Sequence, residues 1–188
     1  MDGAAPMTTD VSAVTVACPP PRFAITNVQG KAENVGSGSS SGKLQVSGKV
    51  VGVSIPDLST TTLSLLDLLR ESAGAGELVR KSFGPLLPFQ LTARTGSNAK
   101  TAIFETTPTV TMPKVRVEIK QSNPNTAELD FSAQIESVVI KAPKGCGTSA
   151  NGTVPLQTRF SLTNKARGPV DINTEQTWQC NGDQLITP

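Results

Sequence analysis

Histidine and tyrosine are both absent from this chain of 188 residues. Without histidine, the chain lacks the side chain that titrates near neutral pH and that most often binds metals. This excludes Ser-His-Asp and Cys-His nucleophile systems within the chain, and zinc sites that use histidine. Without tyrosine, the chain cannot build the tyrosine corner of immunoglobulin-like sandwiches. The sequence therefore predicts a protein that is not an enzyme and that holds no metal or cofactor.

Charged residues are also scarce, at 17% of the chain against roughly 25% in an average domain. The formal net charge of +2 is too small to indicate electrostatic binding to nucleic acid. The densest apolar stretch, residues 63–69, contains Asp67 and is far shorter than the roughly 18 residues of a membrane-spanning helix. We therefore expect no nucleic-acid partner and no transmembrane segment.

The apolar content is nevertheless sufficient for a core. Apolar residues make up 37% of the chain, and the 16 glycines raise that share to roughly 46%, inside the usual globular range. We predict a flexible N-terminal segment over residues 1–10 and a single β domain over residues 11–188. Residues 1–10 have neither a basic start nor an apolar stretch, so they do not resemble a signal peptide. Either the protein is cytosolic, or this is a mature or recombinant form whose leader has been removed, and the cysteines described below favour the second interpretation.

Alternation of apolar and polar side chains is the strongest pattern in the chain, and it predicts strands with one buried face. Residues 114–120 and 128–136 alternate on either side of a turn at residues 122–125, which predicts a hairpin. Residues 154–163 and 170–178 form a second alternating pair. Short antiparallel strands with one wet face favour an antiparallel β-sandwich or an open barrel.

The first half of the chain is less regular. Strands are predicted there over residues 11–18, 23–28, 44–55, 89–94 and 102–107. Three prolines at residues 19–21 separate the first two of these strands, because proline cannot sit in a central strand. The apolar parity of the third strand switches at Val50-Val51, which indicates a bulge or a corner.

One or two short helices are predicted between residues 60 and 83. Residues 60–71 are rich in leucine and begin with threonines suited to helix capping. Leucine covers most of the circumference of such a helix, so the helix must bury most of its surface. It would either plug one end of the sheet or act as a lid or lipid-facing element. The predicted contact residues for a ligand or partner are Leu63, Leu66, Leu69, Leu87 and Phe89.

The chain has three cysteines, and none lies in a Cys-x-x-Cys pair. Cys146 and Cys180 flank the second alternating strand pair, whose hairpin geometry would bring them together. We predict a disulfide between them, and the alternative is two buried free thiols. The bridge indicates an oxidising compartment, so the expected location is extracellular or in the cell envelope. Cys18 would stay free or pair with another chain.

The remaining short motifs carry little chemistry. Residues 151–153 match a glycosylation sequon, but they fit an Asn-Gly turn before a strand better. Residues 36–43 fail the phosphate-loop pattern and are typical of a flexible loop. The Ser-x-x-Lys spacing at Ser40 and Ser97 lacks the companion motifs of Ser-Lys hydrolases, so we interpret it as chance.

Three carboxylates lie on the polar face of the predicted 128–136 strand: Glu128, Asp130 and Glu136. Such acids can form a glycosidase site or a calcium site. However, Lys114, Arg116 and Lys120 would lie opposite as cross-strand partners, so we interpret this surface as a solvated, ion-paired face. Trp178 shares the parity of the core residues and is interpreted as a core anchor rather than a platform for sugars.

Two hypotheses about function follow. The first is a non-catalytic secreted or cell-surface structural or assembly protein, such as an envelope, adhesion or filament subunit. In that case residues 11–18 would form a strand that pairs with the sheet edge of a neighbouring subunit. The alternative is an extracellular binding module for a lipid or other apolar ligand, with the leucine-rich helix and residues 86–89 covering its cavity.

Overall fold

The computed structural model describes residues 22–71, 86–87, 96–106, 114–123, 127–143, 146 and 151–188. Nearly all regular structure in these ranges is antiparallel strand, which confirms the predicted mainly β fold. The described strands are β1 (Arg22–Phe23), β2 (Ile25–Glu33), β3 (Gly42–Val51), β4 (Thr62–Glu71), β5 (Leu86–Leu87), β6 (Thr101–Glu105), β7 (Lys114–Asn123), β8 (Glu128–Val138), β9 (Gly152–Asn164), β10 (Gly168–Asn181) and β11 (Gln184–Ile186).

All the described strands belong to one sheet, in the order β5-β4-β9-β10-β11-β2-β3-β8-β7-β6, with β1 paired to β10. β1 runs parallel to one end of β10, and β11 runs antiparallel to its other end. β11 also pairs with β2, so β2 and β10 diverge along their length. Where β2 and β10 lie closer together, the side-chain amide of Gln176 on β10 donates a hydrogen bond to the carbonyl oxygen of Val28 on β2 at 3.3 Å.

The two ends of the sheet approach each other at a one-turn 3₁₀ helix, Leu58–Thr60. Its Leu58 N–H donates to the carbonyl oxygen of Ala99, just before β6, at 3.0 Å. On the other side, Asn164 at the end of β9 donates to the carbonyl oxygen of Asp57 at 2.9 Å and to Oγ1 of Thr60 at 3.0 Å. The sheet is therefore a nearly closed barrel, joined at its seam by these contacts.

Both predicted strand pairs are confirmed. β7 and β8 form an antiparallel pair in which Val117 lies opposite Ala133. β9 and β10 pair along their whole length. Their alternating apolar side chains point into the barrel, where the rings of Phe131 from β8 and Phe160 from β9 stack with centroids 4.4 Å apart. This contact crosses the interior and joins the two halves of the curved sheet.

The predicted helix over residues 60–71 is wrong. After the 3₁₀ turn, Thr62–Glu71 forms β4, which lies between β9 and β5. A short leucine-rich run fits a buried strand as well as a helix, and the exposed backbone groups of β9 offer it a ladder of hydrogen bonds. The helix proposed over residues 77–83 and the strands over 11–18 and 89–94 lie outside the described residues. Within the described ranges, no helix is long and apolar enough to cross a membrane.

The parity switch at Val50-Val51 marks a corner. β3 ends at Val51, and Gly52 follows with a φ of 86°. Glycine adopts this left-handed backbone at little cost. Register shifts instead occur in β2, at Asn27 with a φ of 51°, and in β8, at Ser137 with a φ of 62°. These two bulges bend the strands that carry the surface described next.

Candidate functional site

The predicted disulfide between Cys146 and Cys180 is present, with Cα atoms 5.6 Å apart. Cys180 lies in β10 opposite Gly152 of β9, and its side chain is only 4% exposed. Cys146 lies in the connection that carries the chain from β8 across to β9, and it packs against the core. The bond therefore ties this long crossover to the end of the β9–β10 pair.

The outward side chains of β2, β3, β8 and β7 form a polar surface, here called the outer face. Its carboxylates are paired with lysines or with Arg116. Nζ of Lys49 lies 2.6 Å from Oε1 of Glu128 and 3.7 Å from Oδ1 of Asp130. Glu136 lies between Lys43 at 3.4 Å and Lys114 at 3.3 Å.

These contacts agree with the predicted ion-paired face, although several partners differ. Lys114 is bonded to Glu136 as expected. Lys120 lies opposite Asp130 in the register, but the ion pair of Asp130 is with Lys49 on β3. Arg116 pairs with Glu105 on β6 and with Glu118 on its own strand.

The electrostatics of the outer face are those of a structural charge network. A hydrogen bond from Lys49 holds the pKa of Glu128 below its ordinary value. Hydrogen bonds from Lys114 and Lys43 do the same for the pKa of Glu136. A catalytic general acid needs the opposite shift, as in a glycosidase. Among the residues that the structure describes, no cluster of three acidic or cysteine side chains could hold a metal ion.

A groove of about 530 Å³ crosses the centre of the outer face. We call it the polar groove. Its lining side chains come from β2, β3 and β8: Gln29, Lys31, Gln45, Ser47, Ser132 and Gln134. Thr187 and Pro188, which follow β11, also line it. The backbone of Gly30, Val46 and Ala133 forms the floor, since these positions face the interior.

The strand register sets the spacing of the groove side chains. Lys31, Gln45 and Gln134 lie opposite one another in one row across the three strands. Gln29, Ser47 and Ser132 form the adjacent row. Neighbouring strands are about 4.8 Å apart, and residues two positions apart along a strand are about 6.8 Å apart. The two rows therefore form a regular array of amide and hydroxyl groups.

Most of these polar groups are free to bind a ligand. Within the described part of the chain, the side chains of Gln29, Gln45, Ser47 and Ser132 make no hydrogen bond. Gln134 donates to Oε1 of Glu136 at 2.8 Å. Two hydrogen bonds to Gly30 hold Thr187 at one end of the groove. The N–H of Thr187 donates to the carbonyl oxygen of Gly30 at 3.0 Å, and the N–H of Gly30 donates to Oγ1 of Thr187.

Sequence reasoning missed the polar groove. It predicted the outward polar positions of β8, but it ended the predicted strand over residues 23–28 at Val28, so Gln29 and Lys31 were left outside the predicted sheet. The pattern that could have revealed it is the alternation of Gln29, Lys31 and Glu33 with the small residues Gly30 and Ala32.

The predicted leucine contact surface does not lie on one face of a helix. Leu63 is fully buried in the barrel and lies opposite Leu162. Leu66 lies opposite Leu87 in the β4–β5 pair, and Leu69 is farther along β4. Phe89 and Cys18 lie outside the described residues.

In comparisons with known proteins, no family model, no curated protein and no solved structure matches the chain.

Proposed function

We propose that this chain is a non-catalytic structural or assembly protein of the cell surface or extracellular space, such as an envelope, adhesion or filament subunit. The observation that carries the proposal is the disulfide between Cys146 and Cys180, because such bonds persist in oxidising compartments. Its position supports a structural role, since it fastens the crossover between β8 and β9 to the end of β10.

The outer face supports the non-catalytic part of the proposal. Its carboxylates have lysine partners, which favour the ionised form of Glu128 and Glu136 over the protonated form that a general acid needs. The chain also contains no histidine that could act as a base near neutral pH.

For assembly, we propose that residues 11–18 of one subunit add to the sheet of the next. The β6 edge is a poor acceptor, because Oγ of Ser97 already accepts from the N–H of Ile103 at 3.0 Å and the carbonyl oxygen of Asn98 accepts from the N–H of Thr101 at 3.1 Å. The opposite end is the better acceptor. Among the described residues, only Leu86 and Leu87 pair with the outer side of β4, which spans Thr62–Glu71.

Light scattering and negative-stain electron microscopy of the untreated full-length chain test the assembly role. We expect oligomers or filaments from the full chain, monomers after deletion of residues 1–21, and unchanged assembly after the control deletion of residues 1–10. A full-length chain that stays monomeric at every concentration would overturn the role in self-assembly.

The compartment is tested by mass spectrometry after alkylation without reductant. One disulfide that joins residues 146 and 180 is expected in native material. Three alkylated thiols would remove the basis for an extracellular location.

A further inference from the structure

We propose that the polar groove binds a neutral oligosaccharide. This inference goes beyond the proposed structural role and does not depend on it, since a monomer could bind such a ligand equally well. It rests on the regular array of amide and hydroxyl groups, most of which have no hydrogen-bond partner among the described residues, on the pairing of the charges around them and on the rigidity of their support.

The hydrogen-bonding groups of the polar groove match those of sugars. A glutamine amide offers two donors and an acceptor on one planar group, and a serine hydroxyl both donates and accepts. Neighbouring hydroxyls of a sugar ring have the same dual character. Gln45 and Gln134 face each other across β3 and β8, with Ser47 and Ser132 in the next row. A ligand lying across the strands can therefore meet amides on one side and hydroxyls on the other.

The charge balance favours an uncharged ligand. Among the described residues that line the groove, Lys31 has the only ionisable side chain, and its Nζ lies 2.5 Å from Oε1 of Glu33. At the other side, Glu136 next to Gln134 is paired with both Lys114 and Lys43. The described lining therefore presents no unpaired charged side chain to a phosphate or a carboxylate.

The support beneath the groove is rigid. The floor positions Val46 and Ala133 are 1% exposed and belong to the central core. Three hydrogen-bonded strands fix the spacing of the lining side chains, so little backbone ordering is needed on binding. The groove volume also lies within the range of small-molecule sites, roughly 300–1,000 Å³.

No aromatic ring lines the groove in the part of the chain that the structure describes, so hydrogen bonds must supply the affinity. The only tryptophan, Trp178, lies inside the barrel beneath Gly30 and cannot stack on a ligand. We therefore expect a weak interaction, with a Kd on the order of millimolar for a single chain. Several copies on one surface would bind a polysaccharide more strongly through multivalency.

The test is an NMR titration of the 15N-labelled full-length protein with cellotetraose, xylotetraose, mannotetraose and chitotetraose. At least one tetrasaccharide should shift the side-chain amide signals of Gln45 and Gln134 and the backbone signals of β2, β3 and β8. Gln45→Ala should weaken that interaction roughly fivefold, because it removes a donor and an acceptor. The matched control Gln179→Ala removes an exposed glutamine from β10 outside the groove and should leave the Kd unchanged.

Three outcomes would overturn the proposal: no tetrasaccharide shifts the groove signals, the shifts map to another surface, or Gln45→Ala binds as tightly as the unchanged protein. Ser132→Val provides a second, independent variant if Gln45→Ala loses its fold. A glucose phosphate that binds the groove more tightly than the neutral sugars would also contradict the inference, because it would show that the groove selects an anion. Since assembly is measured separately by light scattering, failure here leaves the proposed structural role unaffected.

Discussion

A Cβ atom on residue 30 would overlap Cη2 of Trp178, so the indole ring of β10 packs directly onto the backbone of β2. β11 lies between these two strands at this end of the sheet, where it pairs with both. The fully buried tryptophan fills the interior beneath this insertion. Glycine at position 30 is required by the close approach of the ring, since its backbone φ is not in the left-handed region.

Gly30→Ala should therefore destabilise the protein by about 2 kcal/mol, because the added methyl group forces the indole ring and its neighbours to move. The loss is measured as the free energy of unfolding in urea. The control Gln29→Ala changes the adjacent outward position and should have little effect. Trp178→Leu is itself destabilising, but Gly30→Ala should cost less stability in the Trp178→Leu background than in the unchanged protein. Strictly additive effects of the two substitutions would contradict the packing explanation.

The second prediction concerns the disulfide. Cys146 and Cys180 are 34 positions apart, and a closed loop of this size stabilises the folded state by roughly 3–4 kcal/mol through the entropy of the unfolded chain. The double variant Cys146→Ala and Cys180→Ala should lose about that much in urea unfolding. Cys18→Ala serves as the control. A double variant as stable as the unchanged protein would show that the crossover is held by packing alone.

A third prediction concerns the seam of the barrel. Asn164 is 3% exposed, and its amide joins the end of β9 to the turn before β4. Asn164→Ala leaves the carbonyl oxygen of Asp57 without this donor, so we expect a loss of about 2 kcal/mol. The neighbouring Thr163→Ala changes an exposed side chain and should be nearly neutral. Equal unfolding free energies for the two variants would show that the seam does not depend on this amide.

The fourth prediction is a loss of stability in acid. The pKa values of Glu128 and Glu136 lie below the ordinary 4.5 because lysines donate hydrogen bonds to them. The unfolded chain therefore takes up these protons first, so the stabilisation is present above pH 4.5 and is lost as the pH falls through the lowered values. The pKa of Lys49 is raised above 10.5 by Glu128, so its contribution is present below pH 10.5 and is lost as the pH rises through the raised value.

Calorimetry across the pH range checks this profile. Tm should be nearly constant between pH 4.5 and pH 10.5, since the chain has no histidine to titrate in this range. Tm should fall below pH 4.5. Salt at about 1 M should reduce this fall in Tm, because it screens exposed ion pairs. Lys49→Met should also reduce the fall in Tm, because it removes the hydrogen bond that lowers the pKa of Glu128. A transition centred near neutral pH would be inconsistent with these carboxylates as its source.

The sequence predicted the strands whose two faces differ. β7, β8, β9 and β10 each place apolar residues inside the barrel and polar residues outside, and that alternation is visible without a structure. β4 was assigned to a helix because its leucines show no period of two, and only pairing with β9 decides its conformation.

The candidate site was harder to predict for a different reason. The inward positions of the second half of β2 are Gly30 and Ala32, which carry little apolar surface. The interior beneath them is filled by Trp178 of β10, which is far away in the sequence. The polar groove also depends on the register of three strands and on Thr187 and Pro188, which only the tertiary fold brings together. The disulfide was predictable because its two residues flank a single strand pair.

The bond between residues 146 and 180 also determines how the protein responds to a pulling force on its two ends. Tension transmitted along the chain bypasses the segment between the sulfur-linked residues, which are 34 positions apart, so β9 and most of β10 cannot be stretched out. That length would otherwise extend by about 120 Å. Under mechanical load the protein would thus keep the β9–β10 hairpin inside an inextensible covalent loop even after the rest of the barrel has opened.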